Sequence, residues 1–228
     1  MNADPIAAAR GLVADLYPDA RWALLAGSVL TAARTSGSDL DIVILLPDAH
    51  PRTPCRESHR YDGWPAELLV HDDATLRTYL SRDGRRPTLH RMVATGMPLL
   101  GDPSRWQREA AAELAAGPAE LDPEERDRLR YHLTDLLDDL IHARDAGEGT
   151  VITAATWTLC AEFALAMHNH WTGTGKWLLR ELRDLDADLA DRWLAAAGDQ
   201  GAVATLAEDL LAAHGGPLFA GYHATGRR

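Results

Sequence analysis

The stretch from Trp22 to Pro47, WALLAGSVLTAARTSGSDLDIVILLP, constrains the fold of this chain more than any other. It contains two apolar runs of strand length, one that stops at Gly27 and one from Leu40 to Leu46. Apolar runs of this length, the second rich in β-branched residues, are typical of buried strands. We therefore expect two neighbouring strands, parallel or within a mixed sheet, joined by a glycine turn and a short helix that begins at Ser28.

Two aspartates, Asp39 and Asp41, interrupt the start of the second run. Residues i and i+2 of a strand point to the same face, so both carboxylates project from one side of the sheet. At an effective dielectric constant of about 20, two carboxylates roughly 5 Å apart repel each other by about 3 kcal/mol, which predicts a counter-ion. Mg²⁺ fits best because it prefers carboxylates together with substrate phosphates.

Gly27 and Ser28 supply a second element of the same chemistry. A glycine at the end of a strand lets the backbone pass close to a ligand, and the N–H groups at the start of a helix favour phosphate. Alone, a Gly-Ser pair is usually a turn and an Asp-x-Asp triplet is usually a solvated strand end. Carboxylates within an apolar strand are costly unless they bind something, so the combination indicates a functional site.

The spacing carries a resemblance to a known superfamily. A Gly-Ser pair, ten further residues and Asp-x-Asp, with Ser38 before the first aspartate, resemble the signature of the DNA polymerase β-like nucleotidyltransferases, particularly the small bacterial and antibiotic-modifying (kanamycin-type) members. The resemblance implies an α+β fold, with a small mixed β-sheet and helices in the catalytic domain. It also implies that Gly27, Ser28 and Ser38 bind a nucleotide, and that Asp39 and Asp41 are catalytic and hold Mg²⁺.

A third acidic residue, Glu67, breaks a later apolar run, WPAELLVHD. Members of the superfamily carry a third carboxylate on a strand that follows the Asp-x-Asp strand, so the resemblance implies that Glu67 is a catalytic metal ligand. His71, Asp72 and Asp73 are alternatives. The two aspartates equally fit the N-cap of a helix at Ala74–Leu80.

The remaining sequence divides into two halves, and we expect domains at residues 1–117 and 118–228. Before the Gly117–Pro118 boundary, local patterns predict further elements. These are a helix from the Asp4 cap to about Tyr17, strands at Arg56–Tyr61 and Ala66–Val70 around the turn Asp62–Gly63, a helix after Pro87 and an edge strand at Met97–Leu100. After it, apolar residues at helical spacing predict a bundle of about five helices, with a turn at Gly147–Gly149.

The helical half resembles the C-terminal part of kanamycin-type nucleotidyltransferases. A helix of those enzymes carries a lysine that faces the nucleotide phosphates, and the resemblance implies this role for Lys176; a solvated helix start is the alternative. The segment before Lys176 is not a P-loop, because His170 stands where the motif requires its first glycine. Glu162, within an apolar helix, either pairs with a cation or replaces Glu67 as the general base.

Other polar and aromatic residues of this half favour structural roles. His168 and His170, two residues apart on a helix, point in different directions, so we do not expect them to share a metal ion. Trp157 and Trp193 lie at core spacings and are expected to pack rather than to stack on a base.

Composition excludes some classes of protein. The chain has 34 acidic and 23 basic residues and a net charge of −11, which argues against a nucleic-acid partner. Cys55 and Cys160 lack metal-type spacing and fit a reducing compartment. No signal peptide is recognised, and no apolar stretch is expected to reach the ~20 residues of a membrane span. We therefore expect a cytoplasmic protein without a membrane partner.

Together these features predict Mg²⁺-dependent transfer of a nucleoside monophosphate from an NTP, with ATP expected, to a hydroxyl of a small molecule such as an aminoglycoside-like antibiotic. Two alternatives stay open. One is a protein-directed nucleotidylyltransferase of the antitoxin type, and the other is a non-catalytic nucleotide-binding module. The acceptor, the preferred base and a homodimeric state also stay open.

Overall fold

The structure is a computed structural model that describes residues 4–82 and 84–225 of the chain. It divides into two units between Ala116 and Gly117. The first unit holds a five-stranded sheet with helices, and the second is helical. The α+β class expected from the sequence is therefore confirmed.

The sheet of the first unit is mixed. Its strands are β1 (Trp22–Ala26), β2 (Leu40–Leu45), β3 (Cys55–Tyr61), β4 (Trp64–His71) and β5 (Met97–Leu100). They lie side by side in the order β3-β4-β2-β1-β5, with β2 and β4 parallel and the other neighbours antiparallel. The two strands of the Trp22–Pro47 stretch are thus antiparallel neighbours, and β5 is an edge strand as expected.

The apolar core of this unit lies on both faces of the sheet. One layer packs against α1 (Pro5–Leu16), which begins at the expected Asp4 cap. The other layer packs against α2 (Asp73–Arg82), α3 (Thr88–Thr95) and α4 (Ser104–Ala116). Because β2 is covered on both sides, its sequence reads as a continuous apolar run.

The tight turn between β3 and β4 fixes their register. Asp62 and Gly63 both have positive φ, 48° and 84°, as two-residue hairpin turns of the favoured type require. The hairpin predicted at these residues is confirmed. Its pairing places Ser58 opposite Glu67 and Arg56 opposite Leu69.

The helix expected to begin at Ser28 is instead a single 3₁₀ turn, Ser28–Leu30. The hydroxyl of Thr31 donates to the carbonyl of Ser28 and accepts the N–H of Ala33. These side-chain hydrogen bonds compete with the backbone hydrogen bonds of a longer helix. Three residues do not build the dipole of an α-helix. The structure therefore offers no α-helical N-terminus here, and the phosphate contact expected of Ser28 stays a prediction.

Five helices make up the described part of the second unit, as expected. They are α5 (Pro123–His142), α6 (Ala146–Met167), α7 (Lys176–Leu185), α8 (Ala187–Ala195) and α9 (Gln200–Ala213). The turn predicted at Gly147–Gly149 is wrong, because these residues lie in the first turn of α6. The Asp145 carboxylate accepts the N–H of Glu148 at 2.9 Å and begins the helix ahead of both glycines.

Helix α6 is the core helix of this unit. Among the described helices it alone is long and apolar enough to span a bilayer, with 22 residues and a hydropathy of 1.4, so the expectation of no such stretch was wrong. However, 56% of that apolar stretch is buried within the protein, as in the core helix of a soluble domain.

The rings of Trp157 and Trp193 stack 3.9 Å apart, and each indole N–H donates to the carbonyl of the other residue, which confirms their packing role.

Candidate functional site

The parallel pairing of β2 and β4 brings two of the expected carboxylates side by side. Asp41 is the register partner of Glu67, and neighbouring strands lie roughly 4.8 Å apart. By strand alternation both side chains share the face of Val43 and Leu69, which pack in the layer beneath α2, α3 and α4. Asp39 lies immediately before β2, and all three carboxylates are half-buried.

Gly27 ends β1 beside this pair, because Ala26 is the register partner of Asp41. Its backbone has φ 85° and ψ −172°, a region that is essentially restricted to glycine. A β-carbon on Gly27 would collide with Oδ2 of Asp41. The glycine therefore lets the turn pass directly against the Asp41 carboxylate. The close approach to a ligand that its place after the strand predicted stays a prediction.

Ser28 and Ser38 hold the two ends of the connecting loop together. Their hydroxyl oxygens lie 2.9 Å apart in a hydrogen bond, and Ser38 Oγ also accepts the N–H of Thr35 at 3.0 Å. Ser38 is 5% exposed, whereas residues 31–37 are all exposed. The serine pair thus closes the loop from its base and fixes the entry into β2 at Asp39.

Arg56 is a residue of this site that the sequence analysis missed. Its guanidinium forms an ion pair with Glu67 Oε2 at 2.5 Å, and its side chain is 67% exposed. The signal was present: counting back from the Asp62–Gly63 turn places Arg56 diagonal to Glu67 on the same face. The arginine neutralises part of the negative charge that the three carboxylates bring together.

Asp72, one of the alternatives to Glu67, has a structural role. Asp72 caps α2, since its carboxylate accepts the N–H of Thr75 at 2.8 Å and the hydroxyl of Thr53 at 3.0 Å. The hydrogen bonds from Thr75 lower the pKa of Asp72 to about 2. Burial lowers the pKa of His71 to about 4. The N-cap interpretation of Asp72 is confirmed.

Lys176 and Glu162 belong to the helical unit. Lys176 is the exposed first residue of α7, after Gly175 with φ 54°. The guanidinium of Arg180, one turn later, lies 4.7 Å from the centre of the Trp177 ring. Glu162 is half-buried in α6. The phosphate-binding role of Lys176 and the base role of Glu162 stay predictions.

The carboxylates of the first unit are chemically suited to a hard cation. Asp39, Asp41 and Glu67 offer only oxygen ligands, which Mg²⁺ prefers over nitrogen or sulfur. Because all three residues are only half-buried, their carboxylates remain accessible to solvent.

Comparisons with known proteins find similarity among solved structures. No protein-family model matches the sequence, and no curated protein matches it. Among solved structures, the chain is similar to a nucleotidyltransferase-like protein from Exiguobacterium sibiricum 255-15. The match has a TM-score of 0.48 and 11% identity, and covers 91% of this chain and 74% of that one.

Proposed function

We propose that this chain is a Mg²⁺-dependent nucleotidyltransferase that moves a nucleoside monophosphate from ATP to a hydroxyl of a small molecule. The observation that carries the proposal is the β2–β4 register, which pairs Asp41 with Glu67 next to the Gly27 turn. Paired half-buried carboxylates beside a glycine turn supply what transfer of a phosphoryl-linked group requires: ligands for cations and room for phosphates.

Each residue of the site has a proposed task. Asp39, Asp41 and Glu67 would hold Mg²⁺, and Gly27 and Ser28 would contact the β- and γ-phosphates. Bound Mg²⁺ would supply neutralisation of the triphosphate charge. We assign Ser38 to positioning, because its hydroxyl is engaged by Ser28 and Thr35 at the base of the loop.

Lys176 would add a charge-assisted contact to the same triphosphate.

The transfer itself forms a bond from the acceptor oxygen to the α-phosphorus and breaks the bond to the bridging oxygen of the β-phosphate. Pyrophosphate leaves, and the acceptor proton passes to Glu67 or, as the alternative, to Glu162. The Arg56–Glu67 ion pair does not prevent this, because exposed pairs contribute only about 0–1 kcal/mol.

The acceptor class follows from charge. A net charge of −11 favours a cationic small molecule, and an aminoglycoside-like antibiotic has both the charge and the hydroxyls. ATP and Mg²⁺ are available in the cytoplasm, which is the location that we propose.

Pyrophosphate release tests the function directly. The purified chain is assayed with each of the four NTPs against a panel of hydroxylated acceptors, with Asp41→Asn as the inactive control. With ATP and a cationic acceptor, we expect the wild type to release pyrophosphate and Asp41→Asn to release none. Nucleotide binding without pyrophosphate release would instead favour a non-catalytic module. A one-nucleotide mass shift on a co-expressed protein would favour the protein-directed alternative.

A further inference from the structure

A second set of ligand-type side chains lies in the helical unit. His170, Glu181 and Asp184 each offer one ligand atom, and these atoms all lie within 4.8 Å of one another. His170 is in the segment between α6 and α7, and the two carboxylates lie one turn apart on α7. Residues three apart share a helix face, so α7 presents both carboxylates toward the imidazole.

The distances suit a metal ion of tetrahedral preference. His170 Nε2 lies 3.4 Å from Asp184 Oδ2, and His170 Nδ1 lies 3.8 Å from Glu181 Oε2. Two ligands about 2.0–2.1 Å from a tetrahedral zinc ion lie roughly 3.4 Å apart. Asp184 Oδ2 and His170 Nε2 therefore already stand at ligand spacing. The Glu181 carboxylate lies close enough to join them, because one ligand atom of each residue is within 4.8 Å of the others.

The hydrogen bonding of His170 selects the nitrogen that could bind the ion. Nδ1 lies 3.0 Å from the carbonyl oxygen of Trp171. A carbonyl only accepts, so Nδ1 carries a proton, and Nε2, which faces Asp184, is the nitrogen left to bind an ion. A backbone carbonyl that fixes the second imidazole nitrogen in this way is the usual support of a metal-bound histidine.

Burial supplies an independent argument. Glu181 is 2% exposed and lies between Leu178 and Leu182, which belong to the apolar core of this unit. Solvent screens a buried charge less than an exposed one, so a cation beside this carboxylate is attracted more strongly than it would be at the surface. The Asp184 side chain is 77% exposed and the His170 side chain 21%, so the cluster is open to solvent on one side.

We propose that His170, Glu181 and Asp184 bind one Zn²⁺ ion. Imidazole favours zinc over Mg²⁺, which separates this site from the all-carboxylate site of the first unit. The other two ligands come from α7 and not from His168. This site is therefore compatible with the expectation that His168 and His170 do not share a metal ion. The ion would tie the segment before Lys176 to the helix that follows it.

Zinc titration of the full chain tests this site. The tag-free, chelator-treated protein is titrated calorimetrically with ZnCl₂, as wild type and as Asp41→Asn, because zinc also binds carboxylates. We expect one Zn²⁺ per chain in the Asp41→Asn protein. Asp184→Asn in that background should weaken zinc binding by tenfold or more.

The chain provides a matched control for that variant. Asp138 faces His142 at the same 3.4 Å, with side chains 76% and 72% exposed, but the pair belongs to no three-ligand cluster in the described part of the chain. Asp138→Asn should leave zinc affinity unchanged. An equal loss for the two variants, or no stoichiometric zinc in the Asp41→Asn protein, would overturn the site.

A proton is the rival occupant, because His170 between two carboxylates could also be an imidazolium. NMR of the ring nitrogens separates the two: at saturating zinc, the His170 ring should carry a proton on Nδ1 and none on Nε2. A His170 ring that stays doubly protonated at saturating zinc would refute the proposal. These outcomes do not depend on nucleotide transfer, so they can fail while the proposed function holds.

Discussion

The backbone of Gly27 lies directly against the carboxylate of Asp41, in a conformation that only glycine adopts readily. Gly27→Ala should therefore both strain the turn, by about 1–3 kcal/mol, and displace Asp41. We expect lower thermal stability and a loss of transfer activity of at least tenfold, measured by thermal melts and pyrophosphate release. Gly198→Ala is the control, since Gly198 has φ 78° but no atom within 4 Å of an added β-carbon. Similar stability losses with full activity for Gly27→Ala would show that the contact is unimportant.

Asp39→Asn separates a metal ligand from a structural aspartate. Without metal, removing one of three converging charges should leave the melting temperature at or above that of the wild type. A ligand at 100 times its Kd adds about 2.7 kcal/mol of stability, so Mg²⁺ with ATP should raise the wild-type melting temperature and raise that of the variant much less. Asp62→Asn, at the hairpin turn, is the control with the same charge change and should keep the full shift. A destabilised Asp39→Asn that keeps the shift would mark Asp39 as structural.

Arg56→Gln tests whether the ion pair with Glu67 competes with a cation. Because the pair is exposed, stability should change by less than about 1 kcal/mol. Mg²⁺ should bind a few-fold more tightly once Glu67 has lost its competitor, whereas Glu67→Gln should abolish transfer. Arg60→Gln, an exposed arginine on the same strand and face, controls for net charge. Weaker Mg²⁺ binding in Arg56→Gln than in Arg60→Gln would mean that the arginine supports the site.

Lys176→Ala tests the assignment made from the helical half. A lost charge-assisted contact to the triphosphate should weaken ATP binding by about 1–3 kcal/mol, with little effect on folding because the side chain is exposed. Calorimetric ATP titrations measure it. Arg183→Ala removes the same charge from an exposed position of α7 and should not change affinity. Equal ATP affinities in the two variants would mean that Lys176 is a solvated residue at the start of a helix and does not contact the triphosphate.

Asp72→Ala should lower stability without lowering activity. Loss of an N-cap costs about 0.5–2 kcal/mol. The hydrogen bonds from Thr75 lower the pKa of Asp72 to about 2 from its ordinary value of 3.8. The contribution of the ionised cap is therefore complete above pH ~4 and is lost as the pH falls toward 2. Denaturant unfolding at pH 7 and at pH 2.5 should show a smaller difference between the two proteins at the lower pH. A strong loss of transfer would reinstate Asp72 as a functional carboxylate.

Local sequence signals predicted most elements but not the pairings between them. The Asp62–Gly63 turn and the Asp4 cap each depend on interactions between residues close in sequence, and both predictions are confirmed. The helix at Ser28 and the turn at Gly147 failed where a neighbouring side chain, Thr31 or Asp145, decided the backbone. The adjacency of Asp41 and Glu67 was expected only through the family resemblance, because strand order is set by packing of the whole sheet.

The cluster of His170, Glu181 and Asp184 was likewise not predictable from local sequence signals. His170 lies eleven residues before Glu181 in an irregular segment, so no helical or strand period relates the two side chains. Their approach depends on how that segment turns back on α7. Sequence spacing alone therefore could not connect His170 with its carboxylate partners.

Both strands that carry the central carboxylates, β2 and β4, lie inside the sheet with a hydrogen-bonded neighbour on each side. The loop at residues 31–37, by contrast, is exposed, and a hydrogen bond between Ser28 and Ser38 joins its two ends. Amide hydrogens of the loop should therefore exchange with solvent through small local openings, whereas those around Asp41 and Glu67 exchange only when the sheet itself unfolds. We therefore expect the backbone that carries Asp41 and Glu67 to be ordered in advance of any ligand, and conformational adaptation to be confined to the loop.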